Sequence, residues 1–359
     1  MQEKIEKEAL HDIYECPSCG ANLKYSPDEE ALLCEYCKKV ISLKGESSEE
    51  ELDFLSNAEK DTNDWAEETV IVGCDNCGAR NVVSKKDITS HCPFCGSAAV
   101  IKVDELVGEK PNRVIPFKIG KEGVIKAYKY WIKKKLFAPS KVKKEIPNPI
   151  LNGVYIPTWT YDTDTISAYN GRLGDRYTVT VGTGKNRHTE TRIRYFYIKG
   201  VHSTSLDDIL VCSGKKLEQN VLDKLSPYDT NASYVYDERY LAGFAAEHYD
   251  LSLKDGWEVA KKKAKKVIER EILSKYSYDL VDYLNVNTTF DEITYKYVIL
   301  PVWICNYSYN NKKYQFIVNG ETGKIIGKAP VSPIKVSILV LVIILVIIGI
   351  LLFFGGFGI

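Results

Sequence analysis

The sequence predicts an α+β, multidomain protein on three observations. A four-cysteine pattern occurs twice near the N-terminus, a tyrosine-rich middle mixes alternating β-branched residues with two amphipathic stretches, and an uncharged apolar run lies near the C-terminus. The expected order is a rubredoxin-like ribbon at 11–44, an acidic linker at 45–70, a second ribbon at 71–104, a β-rich scaffold at 111–330 and a transmembrane helix at 335–355. A chain of 359 residues has room for these parts.

The cysteines come first. Eight of the ten fall in Cys-x-x-Cys pairs: Cys16/Cys19, Cys34/Cys37, Cys74/Cys77 and Cys92/Cys95. In both copies fourteen residues separate the pairs. Two knuckles, each supplying two thiolates, suit a closed tetrahedral site of four cysteine sulphurs, so the spacing predicts two structural zinc ions, one per ribbon. Thioredoxin-like redox chemistry uses a single such pair on a βαβ frame, which matched pairs argue against. Gly20, Gly78 and Gly96 each follow a second cysteine, where a knuckle requires positive φ. Pro17 and Pro93 stiffen the turns between ligands. His11 and His91 lie nearby but are not needed as ligands. Ribbons this small depend on metal for most of their folding free energy.

The linker GESSEEELDFLSNAEKDTNDWAEET holds ten acidic residues and one lysine and reads as a solvated spacer. A docking segment around Phe54, Leu55 and Trp65 is the alternative. The charge is unevenly divided. Residues 1–110 carry 24 acidic and 12 basic side chains, and the whole chain balances at 48 of each. An acidic head is a poor surface for phosphates.

In the middle, YIPTWTYD (155–162) and YVILPVWICNYSY (297–309) share Pro-x-Trp and suggest a duplicated β unit, with Pro157 and Pro301 at strand ends or edges. RYTVTV and HTETRIRYFYIKG flank GTGKN as a hairpin, and KKYQFIVNGETGKIIG reads as another with its turn near Asn319-Gly320. KEGVIKAYKYWIKKKLF places Val124, Ile125, Tyr128, Trp131 and Ile132 on one helical face. LSLKDGWEVAKKKAKKVIEREIL does the same for Trp257, Ala260, Ala264, Val267, Ile268 and Ile272, capped by Ser252 and Asp255. Both helices carry lysine-rich outer faces, which suit solvent, anionic lipid or nucleic acid. GTGK and GETGK fail the phosphate-loop pattern and there is no H-E-x-x-H, so no catalytic site is expected. His188, His202 and His248 read as ordinary surface or half-buried residues, and Cys212 and Cys305 as small core residues.

Val336 to Phe354 are nineteen uncharged residues, seventeen of them Val, Ile, Leu or Phe. A helix of that length spans the hydrocarbon core. Lys324, Lys328 and Lys335 precede it and only GGFGI follows, which predicts a tail anchor with the folded part in the cytosol. The reducing cytosol would also keep the ribbon thiols free. Pro330 and Pro333 end the scaffold before the anchor.

The duplicated ribbon, VIPFKIGKEGVIKAYKYW, LNGVYIPTWTYD, YLAGFAAEHYDLSLKDGWEVA, YVILPVWI, FIVNGETGKIIG and the apolar end together resemble a bacterial family of tail-anchored double zinc-ribbon proteins. Its members carry transcription-factor-IIB-type zinc-ribbon or primosomal-helicase-like labels. The resemblance implies a membrane adaptor associated with phage-shock-type envelope stress, with phage-shock-protein-A-like coiled coils and flotillin-like proteins as partners. Nothing in this chain matches a helicase motif. The expectation is a non-enzymatic, cytosol-facing adaptor at the cell membrane. The alternative is a membrane-tethered nucleic-acid-binding ribbon protein.

Overall fold

Two very long strands form the axis of the main sheet. A computed structural model describes residues 15–43, 45–46, 50–58, 69–84, 92–95, 97, 101–104, 109–146 and 149–355. The first ribbon contains β1 (Leu23–Ser26), β2 (Ala31–Cys34) and β3 (Val40–Ser42), which form a separate three-stranded sheet. Then come β4 (Leu52–Asp53) and α1 (Phe54–Asn57), followed by the second ribbon with β5 (Thr69–Cys74), β6 (Arg80–Ser84) and β7 (Ile101–Asp104). The scaffold continues through β8 (Arg113–Val114), α2 (Lys121–Lys133), α3 (Ser140–Lys144), β9 (Ile150–Val181), β10 (His188–Leu206), β11 (Val211–Cys212), α4 (Gln219–Leu225), β12 (Tyr234–Val235) and β13 (Ala245–Glu247). It ends with α5 (Leu253–Leu273), β14 (Leu280–Tyr309), β15 (Lys312–Asn319), β16 (Ile325–Gly327) and the apolar α6 (Pro333–Gly355).

β9 has 32 residues and β14 has 30, and they pair antiparallel from Ile150↔Asn306 to Gly174↔Leu280. Strands of 3–10 residues are the norm. These two are long because each serves two environments in succession. In the inner half, short strands flank the pair on both sides: β11 and β13 beside β9, and β4, β8 and β15 beside β14. In the outer half β9 pairs with β10 as well, and a register shift between Asp291 and Thr294 marks the transition on β14. The expected strands at 155–162 and 297–309 are therefore only the apolar inner segments.

The two Pro-x-Trp segments lie opposite each other, with Pro157↔Ile299 and Tyr155↔Pro301. An approximate two-fold passes through the Ile156–Leu300 pair. Each half consists of a short strand, a helix and a long strand, β8–α2–β9 and β13–α5–β14. Each short strand runs parallel to the long strand of the other half. Trp303 Nε1 donates to the Ile119 carbonyl at 2.8 Å, one residue before the N-cap of α2. Trp159 Nε1 donates to the Leu251 carbonyl at 2.9 Å, one residue before the N-cap of α5. The shared Trp thus pins the helix of the opposite half in both cases.

The prolines correct an expectation. They occupy the interior of central strands rather than ends or edges. β13 pairs up to Tyr155 and β11 from Thr158, so Pro157 stands between two flanking partners. β8 pairs up to Ile299 and β15 from Val302, so Pro301 does the same. A missing N–H is tolerated where no ladder bond is due.

Both amphipathic helices form as expected. α2 buries Val124, Tyr128 and Ile132 against Phe316 and Tyr307. α5 buries Trp257, Ala260, Ala264, Ile268 and Ile272 and is capped by Ser252, which accepts from the Asp255 N–H. A Cβ at Gly256 would come within 2.4 Å of the Tyr161 hydroxyl and 2.9 Å of the Trp159 ring, so glycine is what lets α5 reach the sheet. The expected hairpins are β9–β10, closing at Val181↔His188, and β15–β16, closing at Val318↔Ile325. Cys212 and Cys305 are buried, and burial pushes the Cys212 thiol up to about 12. His248 is buried as well, while His188 is exposed.

The linker is not simply a spacer. β4 pairs with β14 at Thr294 and Tyr295, and Phe54 packs at 6% exposure against Tyr161 and Trp257. Burying a phenylalanine contributes roughly 2–3 kcal/mol. Leu55 stays exposed, and Trp65, His11, His91 and Gly96 lie outside the described residues. The second ribbon is not a separate bead either, because β6 pairs with β13 and joins the main sheet. α6 is unburied along its apolar length and is the one helix among the described residues that is long and apolar enough to cross a membrane.

If the two indole bonds are equivalent, Trp159→Phe and Trp303→Phe will each cost about 1 kcal/mol. Urea denaturation of the full chain in detergent should show similar losses for the two variants. A loss confined to one of them would break the symmetry argument.

Candidate metal centres

Each cysteine pair sits on a tight knuckle, and the same bonds recur among the described residues. The Gly20 N–H donates to the Cys16 carbonyl at 2.8 Å, Lys38 to Cys34 at 2.9 Å and Gly78 to Cys74 at 2.6 Å. The first-cysteine N–H groups of all four knuckles bond forward, to the carbonyls of Ala21, Lys39, Ala79 and Ser97. Gly20 and Gly78 have φ of 71° and 67°, the left-handed conformation expected of them. Lys38 adopts φ of 62° at the equivalent place without a glycine. A side chain in that region costs about 1–2 kcal/mol, which the knuckle must hold.

The knuckles bring Cys16, Cys19, Cys34 and Cys37 together, and likewise Cys74, Cys77, Cys92 and Cys95. In each group the sulphurs all lie within 4.8 Å of one another. Across the first cluster Cys16–Cys37 is 3.4 Å and Cys19–Cys34 is 3.5 Å. Across the second Cys74–Cys95 is 3.8 Å and Cys77–Cys92 is 3.6 Å. A disulfide requires about 2.05 Å, so these sulphurs are not bonded pairs. Four sulphurs about 2.3 Å from a common centre would be roughly 3.8 Å apart, and the observed spacings approach that tetrahedron. Both clusters can hold a metal ion, and the all-thiolate donor set suits zinc.

The electrostatics favour thiolates at two ligands of each set, Cys16 and Cys34 in the first and Cys74 and Cys95 in the second. The Ser18 backbone N–H lowers the Cys16 thiol to about 6. At Cys95 burial acts to raise it, but the Ser97 hydroxyl and N–H outweigh burial and bring it to about 6. With four protein ligands each site is closed, which fits a structural role.

The ribbons grip the scaffold through their inner faces. Leu23, Tyr25 and Leu32 join the core that contains Phe117, Tyr240 and Ala242. The Tyr25 hydroxyl donates to the Phe117 carbonyl at 3.2 Å, and the Tyr25 N–H to the Ala242 carbonyl at 2.9 Å. In the second ribbon Asn152 donates to the Pro93 carbonyl at 2.8 Å, Lys216 donates to the Cys77 carbonyl, and Phe94 enters a core with Ile156 and Leu300. The outer edges face solvent, with Cys19, Cys37 and Tyr36 exposed, Tyr36 at 83%.

A further cluster escaped the reading of the sequence. Lys296 is 2% exposed, and its Nζ lies 2.9 Å from Glu51, 3.6 Å from Asp208 and 3.9 Å from Asp162. Burial raises Asp162 to about 8, with its bond to Glu51 adding to the rise. Burial opposes ionisation of Glu51 too, but bonds from Asp162, Thr294 and Lys296 outweigh it and hold Glu51 at about 2. Glu51, Asp162 and Asp207 approach one another closely enough for a cation, but the Lys296 ammonium already supplies positive charge there. The cluster reads as an ion-paired clasp that holds the linker. One signal was available: Lys296 is the only charged residue between Glu292 and Lys312.

No family model matches the chain, and no solved structure matches it. It is 30% identical over 328 residues to a Bacillus subtilis (strain 168) protein described as "Uncharacterized protein YdjG", covering 90% of this chain and 92% of that relative.

Cys92→Ser should abolish one metal equivalent and speed amide exchange across β6, because β6 belongs to the main sheet. Cys34→Ser should also lose one equivalent and leave β6 protected. Equal exchange in the two variants would count against this asymmetry. At the clasp, Asp162 has a folded value raised above its unfolded one, so its contribution favours folding at low pH and is lost as pH rises from about 4 to about 8. Asp162→Asn should therefore gain in melting temperature relative to the parent as pH goes from 5 to 8.

Proposed function

Because the chain belongs to the family of the Bacillus subtilis protein YdjG, a relative matched along nearly its whole length, we propose one function for the entire assembly rather than for the ribbons alone: a non-enzymatic, membrane-anchored adaptor. α6 spans the cell membrane, and the scaffold and both ribbons face the cytosol. Each ribbon holds one structural zinc ion and presents its outer knuckle to protein partners. The observation that carries this reading is the two-sidedness of the first ribbon. Its inner residues are locked into the scaffold core, while Tyr36, at 83% exposure beside the exposed Cys37, has no packing role. Rigid exposed aromatics of this kind are favoured at binding surfaces. The resemblance noted from the sequence suggests phage-shock-protein-A-like coiled coils and flotillin-like proteins as partners, in an envelope-stress response.

A second reading has its own observation. Among the described residues, only β9 and β10 continue beyond Gly174, as a two-stranded ribbon bearing Arg176, Arg187, Arg192 and Arg194. Such a ribbon fits the major groove of DNA, which favours a nucleic-acid partner.

Co-expression with a phage-shock-protein-A-like protein tests the first reading. The partner should sediment with membranes alongside the parent chain. It should stay soluble with Tyr36→Ala, which keeps both metal ions, and with Cys16→Ser, which loses one. Both variants should resist alkaline carbonate extraction. Undiminished recruitment by both would overturn the adaptor reading. A salt-sensitive gel shift abolished by replacing the four arginines would favour the second.

A further inference from the structure

The turn joining α2 to α3 stands at the start of the apolar helix. The Ser332 N–H donates to the Phe137 carbonyl at 2.8 Å, and Lys335 Nζ donates to the Ala138 carbonyl at 2.7 Å. The first turn of α6 is thereby bonded to this turn. Eight lysines and no carboxylate lie between Lys126 and Lys144. All but Lys143 are exposed. Among the described residues none of these lysines has a carboxylate within ion-pair distance. The turn itself is rigid. Ala138, Pro139 and Val142 are buried beneath it, and the Tyr128 hydroxyl reaches the Val142 carbonyl. Two large apolar side chains stand out among the ammonium groups, Leu136 at 71% and Tyr130 at 67% exposure. Lys134 covers the Tyr130 ring at 4.1 Å.

α5 offers the contrast. It is also lysine-rich, but Lys261 pairs with Glu258 at 2.6 Å and Lys263 with Asp223 at 2.7 Å. From Ala264 onward it also packs on the outer half of β9 and β14, whereas α2 packs by Tyr307 and Phe316 near their inner end. Of the two basic helices, the one whose charge is uncompensated is the one bonded to the apolar helix.

We propose that the turn from Lys133 to Lys144 is a docking surface for anionic lipid headgroups. This rests on the reading that α6 crosses the bilayer. The lysines meet headgroup phosphates at the plane where α6 enters, and Leu136 and Tyr130 occupy the interfacial zone. Basic residues beside a membrane helix are drawn to anionic lipid, and the attraction falls away within a Debye length, which favours the turn bonded to α6. A polybasic patch with an interfacial apolar residue adds a second attachment to the helix and fixes the tilt of the body above the membrane.

The test uses the full-length chain in nanodiscs of phosphatidylcholine alone or mixed with phosphatidylglycerol. Each lysine is acylated and its rate read by mass spectrometry. Lys133, Lys134, Lys135, Lys141 and Lys144 should react about tenfold more slowly in the anionic discs, with Lys261, Lys262, Lys265 and Lys266 of α5 unchanged. In a Lys134→Glu/Lys135→Glu variant the difference at Lys141 and Lys144 should shrink. Equal rates in the two discs, or equal slowing on α5, would overturn the proposal. So would stronger protection of the same turn by an oligonucleotide in neutral discs, which would reassign the surface to nucleic acid. Escape of the chain from both kinds of disc would instead remove the anchor reading on which the proposal stands.

Discussion

The structure depends on one pairing, the antiparallel register of β9 against β14. Side chains alternate faces along a strand, so a slip of one residue would exchange every inward and outward position. In the observed register Trp159 and Trp303 reach the carbonyls that precede α5 and α2, and both prolines fall at breaks between flanking strands. Both helices, both ribbons and the linker clasp are attached to this pair or to strands beside it. The register is held by apolar inner segments on both faces, with Val154, Ile156, Val298 and Leu300 on one and Tyr155, Trp159, Tyr297 and Trp303 on the other.

The two metal centres share their chemistry but differ in their setting. The first closes a small sheet of its own that leans on the scaffold through Tyr25 and its neighbours. The second closes a ribbon whose strand is part of the main sheet. The binding energy of a metal held at the second centre would therefore reach the central body directly. That of one held at the first would act through side-chain packing, where individual contacts are weaker and more tolerant of change.

Much of this was legible in the sequence because the signals were local. Cysteine spacing, the uncharged run before GGFGI, the Ser252 cap, the Asn319-Gly320 turn and the helical faces each depend on neighbours a few residues away. The missed features depend on distant partners. The outer halves of β9 and β14 carry polar residues such as Asp164, Asn170, Asn285 and Asn287, because one sheet face is covered by α5 and the other meets water, so an apolar-run criterion stops short. The acidic linker reads as solvated because the sequence does not show that Glu51 meets Lys296, about 245 positions away, inside a protein core. Pro157 and Pro301 argued for edges because the junctions between their flanking strands are formed by segments far along the chain.

The length of β9 has a mechanical consequence. At about 3.3 Å per residue its 32 residues extend at most about 100 Å from the end near α2 to the β9–β10 tip. Such a beam acts as a lever: a rotation of about ten degrees at its base sweeps the tip through roughly 17 Å on that length. Small reorientations at the foot of the molecule would thus become displacements the size of a small domain's radius at its head.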